Sequence, residues 1–224
     1  MSAADAKIVK TEPLDPSKAK WLRTILASRN STIYTDPLGK TRTWEHAERP
    51  TRPQGSDIDA VGIVAVLETE SGSDFEGGAD IYASESGPEL LLQKQYRPPV
   101  NKVCIEVPAG LVDAGETAEQ AAVRELKEET GYVGVVSESS PVMFNDPGFC
   151  NTNLRMVHVT VDMSKPENKK PQPELEGGEF IECFTVPLKK LYAECKNLEG
   201  QGFAIDARVA TLAEGIEIAK QWKL

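Results

Sequence analysis

Between Thr117 and Tyr132 the sequence places Glu125, Glu128 and Glu129 close together, directly after Arg124. If the stretch is helical, at roughly 100° per residue Glu125 and Glu129 stand about 40° apart, and Glu128 about 60° from Glu125. Three carboxylates then share one arc, a spacing that destabilises an isolated helix. Oxygen ligands gathered in this way suit a hard divalent cation, Mg²⁺ or Mn²⁺, bound together with substrate phosphates. Arg124, four residues before Glu128, can pair with it and fix the direction of one carboxylate. The charge run alone also fits a solvated glutamate face, in which such a pair contributes little.

The elements that must position these side chains follow from local rules. Thr117 with Gln120 three residues on forms a capping-box pattern, Ala and Leu fill the helix, and Gly131 stands where a left-handed stop is wanted. The expected helix is 118–130. Ala122, Val123 and Leu126 form its neighbouring face and dock it on a sheet, which sets the carboxylates at the edge of the core. A loop with two glycines, PAGLVDAGET at 108–117, leads into it. Apolar runs of strand length lie at 61–67, 90–96, 103–107, 133–136, 154–161 and 180–186. Further helices are expected at 188–197 and across 207–222, the last interrupted by Gly215. Strands with helices inserted irregularly indicate an α+β sandwich with a mixed sheet rather than a doubly wound fold.

Ahead of this unit, residues 1–20 read as a loosely ordered polar arm. STIYTDPLGKTRTWE at 31–45 reads as a hairpin turning at Asp36-Pro37-Leu38-Gly39. ERPTRPQGSD then reads as a linker, so the expected division is an N-terminal arm and hairpin region, 1–56, and a second domain, 57–224. SGSDFEGGAD at 71–80 reads as a surface insertion, and 164–178 as a long loop of the functional or disordered kind. No repeat of 20–50 residues is visible.

The 224 residues carry 35 acidic and 25 basic side chains, a formal charge of −10. That balance opposes generic attraction to nucleic acid or anionic lipid, so a polyanion must be handled through local arginines or a bound cation. No apolar run approaches the ~18–20 residues needed to cross a bilayer, and Met1–Lys10 lacks a secretory stretch; the expectation is a soluble protein. Cys104, Cys150, Cys183 and Cys195 show no C-x-x-C spacing, which indicates free thiols in a reducing compartment, cytoplasm or nucleus. His46 and His158 are too far apart in sequence for histidine chemistry, and no nucleophile elbow or P-loop is present, so water is the expected nucleophile.

The whole spacing is G-x5-E-x7-R-E-U-x-E-E-x-G-U, filled by Gly110, Glu116, Arg124, Glu125, Leu126, Glu128, Glu129, Gly131 and Tyr132. It resembles the Nudix box, with Tyr132 where an aliphatic residue is usual. The resemblance implies an α/β/α sandwich that cleaves nucleoside diphosphates linked to a further group, using Mg²⁺ with Mn²⁺ as a substitute. It implies Glu125 and Glu129 as main metal ligands, with Glu128, Glu116 and the Ala109 carbonyl as further contacts. GKTRTWE at 39–45 followed by Arg49, KQYRPP at 94–99, IEVPAGL at 105–111, DPG at 146–148 and GGEF at 177–180 resemble segments of the ADP-ribose and ADP-sugar pyrophosphatases.

By that resemblance Trp44 stacks on adenine, with Trp21 as a second stacking residue from a partner subunit. Arg49 and Arg97 grip phosphate or ribose, and Glu106 contacts ribose or metal. Glu179 is the implied general base, with Arg124 and Glu128 in the same catalytic group; a box glutamate as base stays open. The N-terminal region would build a homodimer. The implied reaction is hydrolysis of ADP-ribose, and other ADP-sugars, to AMP and ribose 5-phosphate. Two alternatives stand beside it: a Nudix hydrolase for another nucleotide, such as an oxidised nucleoside diphosphate, and a non-catalytic ADP-ribose-binding module.

Overall fold

The computed structural model describes residues 6, 8–10, 23–25, 32–68 and 87–224. Trp21, most of the arm and the insertion at 71–80 lie outside the described residues. Strand β1 (Arg23–Ile25) pairs with β4 (His46–Glu48), and between them β2 (Thr32–Thr35) and β3 (Thr41–Trp44) form the expected hairpin. Its turn closes because Asp36 Oδ1 accepts from the Leu38 and Lys40 amides while Gly39 takes a positive φ of 78°.

β5 (Ala60–Glu68), β6 (Glu89–Arg97), β7 (Lys102–Glu106), β8 (Ala109–Leu111), β9 (Val135–Ser139), β10 (Met143–Phe144), β11 (Asn153–Asp162), β12 (Ile181–Pro187) and β13 (Ala204–Ile205) form one mixed sheet. β11 runs parallel to β5, and β6 antiparallel to β7 and β12. The six apolar runs of the sequence all became strands. The run at 133–136 starts two residues later, because both Val133 backbone groups are bonded instead by the Asn168 side-chain amide at 2.9 Å.

Helix α1 (Ala118–Thr130) covers one face of the sheet; α2 (Leu191–Gly200) and α3 (Ala207–Trp222) cover the other. Alternation along the central strands divides the core. Val61, Ile63, Ala65 and Leu91 pack with Ala121, Ala122 and Leu126 of α1, whereas Val64, Leu90, Leu92 and Ile105 pack with Leu191, Val209 and Ala213. The architecture is the expected α/β/α sandwich.

Helix α1 starts and stops as its sequence dictates. The Thr117 and Gln120 side chains cap each other's backbone amides, and Gly131 ends the helix at φ 75°. Two details differ from expectation. Val123 is exposed and Ala121 occupies the buried stripe in its place. Gly215 does not interrupt α3, because a single glycine costs only about 1 kcal/mol in a helix. Asp206 caps α3, and Val209 and Ala213 dock it.

Candidate active site

Pro108 ends the run that begins in β7, and the chain turns to pair β8 with the start of β5. β7 continues along β6, while β5 and β6 meet only at Val66–Leu67 against Glu89–Leu90. The sheet therefore forks between β8 and β7, and α1 lays its carboxylates over the fork. Gly110 lets them approach. A Cβ there would stand 1.9 Å from the Glu125 carboxyl carbon and within 2.3 Å of both its oxygens.

Arg124 organises the outer carboxylates. Its Nε and Nη2 donate to the two Glu116 oxygens at 2.9 Å, and Nη1 donates to Glu125 at 2.8 Å and Glu128 at 3.1 Å. Nη2 also donates to the Leu111 carbonyl at 3.0 Å, tying the helix to β8. The expected Arg124–Glu128 pair is thus one arm of a wider fork. Hydrogen bonds from Arg124 hold the Glu116 carboxyl below its ordinary range. Burial pushes Glu125 up, with Arg124 opposing.

Glu129 is different. It is 5% exposed, accepts from the Ala109 amide at 2.9 Å, and burial pushes its pKa up to about 8. Among the described residues no three acid, histidine or cysteine side chains converge closely enough to make a finished cation cage. The residues nevertheless fit a hard divalent cation: the donors are all oxygens, three carboxylates share one guanidinium, and Gly110 lets the Glu125 carboxylate close against β8.

A cavity of about 1580 Å³ opens over the fork, lined by Arg49, Arg97, Ala109, Glu125, Glu128, Glu129 and Glu179 among others. Arg97 and Glu106 lie on each other: Nε and Nη2 donate to both Glu106 oxygens at 2.7 and 2.6 Å. Glu106 is 3% exposed. Trp44 is half-exposed and lines a separate pocket of about 410 Å³ with Tyr34, Phe144 and Pro147. Its indole donates to the Gly148 carbonyl at 3.2 Å, which joins Trp44 to the Asp146-Pro147-Gly148 segment, and Phe144 lines both this pocket and the main cavity.

Glu179 enters the cavity from the end of the 164–178 loop. That loop is fastened at its start by Asn168, fully buried, and in its middle by the Glu174 amide donating to the Glu128 carbonyl at 2.8 Å. Gly131 makes the second contact possible, since a Cβ there would stand 2.2 Å from the Gln172 nitrogen. Beyond it Gly178 takes φ 103°, and Glu179 Oε2 accepts from the Glu176 amide at 3.1 Å.

Sequence reading missed three groups. Asp206 and Arg208 line the far side of the cavity as a bidentate pair at 2.7 and 2.9 Å, signalled only by an acidic helix cap two residues before an arginine. Arg52 holds Asp59 at 2.7 and 3.0 Å, and Asp59 exchanges bonds with Asn153, across the linker. Gln93 is fully buried within β6.

An α/β/α sandwich whose forked sheet carries a carboxylate-rich helix defines a class built for cation-assisted phosphoryl chemistry. A model of the NUDIX domain matches residues 75–206, and the chain belongs to that family. It is 48% identical over 221 residues to an ADP-ribose pyrophosphatase of Saccharomyces cerevisiae, covering 98% of this chain and 87% of the relative. It is 37% identical over 194 residues to an ADP-sugar pyrophosphatase of Mus musculus, covering 86% and 80%. A crystal structure of an ADP compounds hydrolase shares the fold, with TM-score 0.52 and 18% identity over 90% of this chain and 92% of the other.

Proposed function

We propose that this Nudix hydrolase splits the pyrophosphate bond of ADP-ribose, with other ADP-sugars as further substrates, to AMP and ribose 5-phosphate by attack of water. The observation that carries the reading is the juxtaposition, in one cavity, of the Glu125–Glu128–Glu129 cluster with Arg49 and Arg97. The relatives' named substrates support the choice of ADP-ribose.

Glu125 and Glu129 would hold Mg²⁺, with Glu128, Glu116 and the Ala109 carbonyl as further contacts. When bound, the cation withdraws charge from the phosphoryl oxygens. Arg124 keeps three carboxylates aimed at one place. Arg49 and Arg97 offer guanidinium hydrogens to phosphate or ribose, and Glu106 fixes the plane of Arg97. Glu179 takes the proton from the attacking water, placed for this by a loop that glycines leave free to turn. Trp44 stacks on the adenine, Trp21 of a second subunit supplies the other face, and the N-terminal region makes the homodimer. Among the described residues no helix is long and apolar enough to cross a membrane. The four cysteines are unpaired thiols, which supports a reducing compartment, the cytoplasm or nucleus.

The test is chromatography of products after mixing ADP-ribose with the protein and with Glu129→Gln, each with and without Mg²⁺. AMP and ribose 5-phosphate are expected only with intact Glu129 and metal. ADP-ribose bound but not cleaved by the parent protein overturns the hydrolytic reading in favour of a binding module. Neither binding nor cleavage moves the substrate to another nucleotide.

A further inference from the structure

Gln93 is 0% exposed, and neither its Oε1 nor its Nε2 has a hydrogen-bond partner among the described residues. Leaving buried polar groups unpaired costs about 1–3 kcal/mol each, and native proteins do so rarely. Its place in the sheet says what it faces. Gln93 is the middle of a cross-strand row, with Cys183 of β12 on one side and Glu106 of β7 on the other. Leu91, two residues earlier on the same face, belongs to the core that holds Ala122 and Leu126 of α1. One turn beyond Leu126 on that helix face comes Glu129. Cys183 Sγ lies 3.8 Å from the Glu129 carbonyl, and the Gln93 amide favours the charged form of the Glu129 carboxyl. Glu106 is already committed to Arg97.

We infer that Gln93 is a positioning residue for Glu129, its unpaired Nε2–H₂ held in reserve to bind the carboxylate's inner oxygen when the outer one engages a divalent cation. The inference rests on the reading of Glu129 as a cation-holding residue. In the described geometry the amide is near Glu129 but short of a well-formed hydrogen bond, which a small turn of either side chain would complete. Amide and carboxylate then satisfy each other in a dry place where water cannot, the usual arrangement behind a metal-holding side chain.

The test measures Mn²⁺ binding directly, by electron paramagnetic resonance of the free ion, in the parent protein and in Gln93→Leu and Gln93→Met. Both replacements keep the volume and remove the amide. Mn²⁺ affinity is expected to fall about tenfold or more, while the urea midpoint in EDTA stays level or rises because two unpaired groups are gone. Mn²⁺ affinity within twofold of the parent in a folded variant overturns the proposal. The parent protein supplies an independent readout: the Gln93 side-chain amide resonances should shift and gain exchange protection on adding Mg²⁺, and unmoved resonances overturn it equally. A parent that binds Mn²⁺ through Glu129 but leaves ADP-ribose intact removes the assigned reaction and leaves the role of Gln93 standing. A parent that binds no Mn²⁺ removes both.

Discussion

The two ends of the carboxylate cluster are stabilised in opposite ways. Glu116, Glu125 and Glu128 share the Arg124 guanidinium, so part of their charge is balanced before any ligand arrives. Glu129 lies behind them, 5% exposed, with one backbone amide as its bonded donor and an unpaired glutamine nearby. A cation of the chain fixes direction at the outer end, while burial at the inner end leaves a group whose charged form needs a partner from outside. The difference teaches that one helix can carry a pre-set scaffold and a ligand-dependent element four residues apart.

The largest test of that contrast is pH. In metal-free protein Glu129 has a folded pKa of about 8 against an ordinary 4.5. Below the ordinary value both folded and unfolded chains hold the proton, and its contribution to stability is complete. As pH rises toward 8 the unfolded chain releases the proton and the folded chain keeps it, so stability falls. The loss should be on the order of a few kcal/mol between about pH 5 and about pH 8. Urea midpoints in EDTA across that window measure it, and Glu129→Gln should flatten the slope. A midpoint that rises with pH in the parent would refute the contrast.

Next comes Gly110→Ala. The new methyl must displace the Glu125 carboxylate, the flexible end of its side chain, so kcat should drop about 100-fold with little change in urea midpoint. A large stability loss with kcat intact would show that Glu125 is structural. Arg124→Lys should do less, about a tenfold fall in kcat with about 1–2 kcal/mol of stability, because an ammonium cannot serve Glu116, Glu125 and Glu128 as one planar fork. Thr117→Ala should be smallest. It removes the helix cap and costs about 1 kcal/mol in urea unfolding, and kcat should hold, since the lost hydroxyl bonds the Gln120 amide and not the Arg124 guanidinium.

What the sequence made legible was local. The ends of α1 followed from Thr117, Gln120 and Gly131, and the hairpin from Asp36 to Gly39, because the residues that set them are near neighbours. Tyr132, where the box pattern has an aliphatic residue, packs against the α1 core as a hydrophobe would. β8 and β13, three and two residues long, were invisible, since neither offers enough positions for a period. Gly110 could be placed in a motif, but its closeness to Glu125 exists only once β8 and α1 meet. Gln93 sits in LLLQKQYR, where an isolated polar residue in an apolar run does not announce which helix lies above it. Arg97 was legible as a cavity residue; its bond to Glu106 depended on the register of two strands.

The fastening of the 164–178 loop bears on how Glu179 can act. On one side its chain is pinned where the Glu174 amide meets the Glu128 carbonyl, five residues away; on the other, β12 begins at Ile181, paired with Gln95, two residues away. An extended chain spans about 3.5 Å per residue, so the shorter arm is a leash of about 7 Å. Glu179 can turn in and out of the cavity but cannot diffuse from its rim. A carboxylate confined to so small a sphere has a high effective concentration at the fork whatever the protein's dilution.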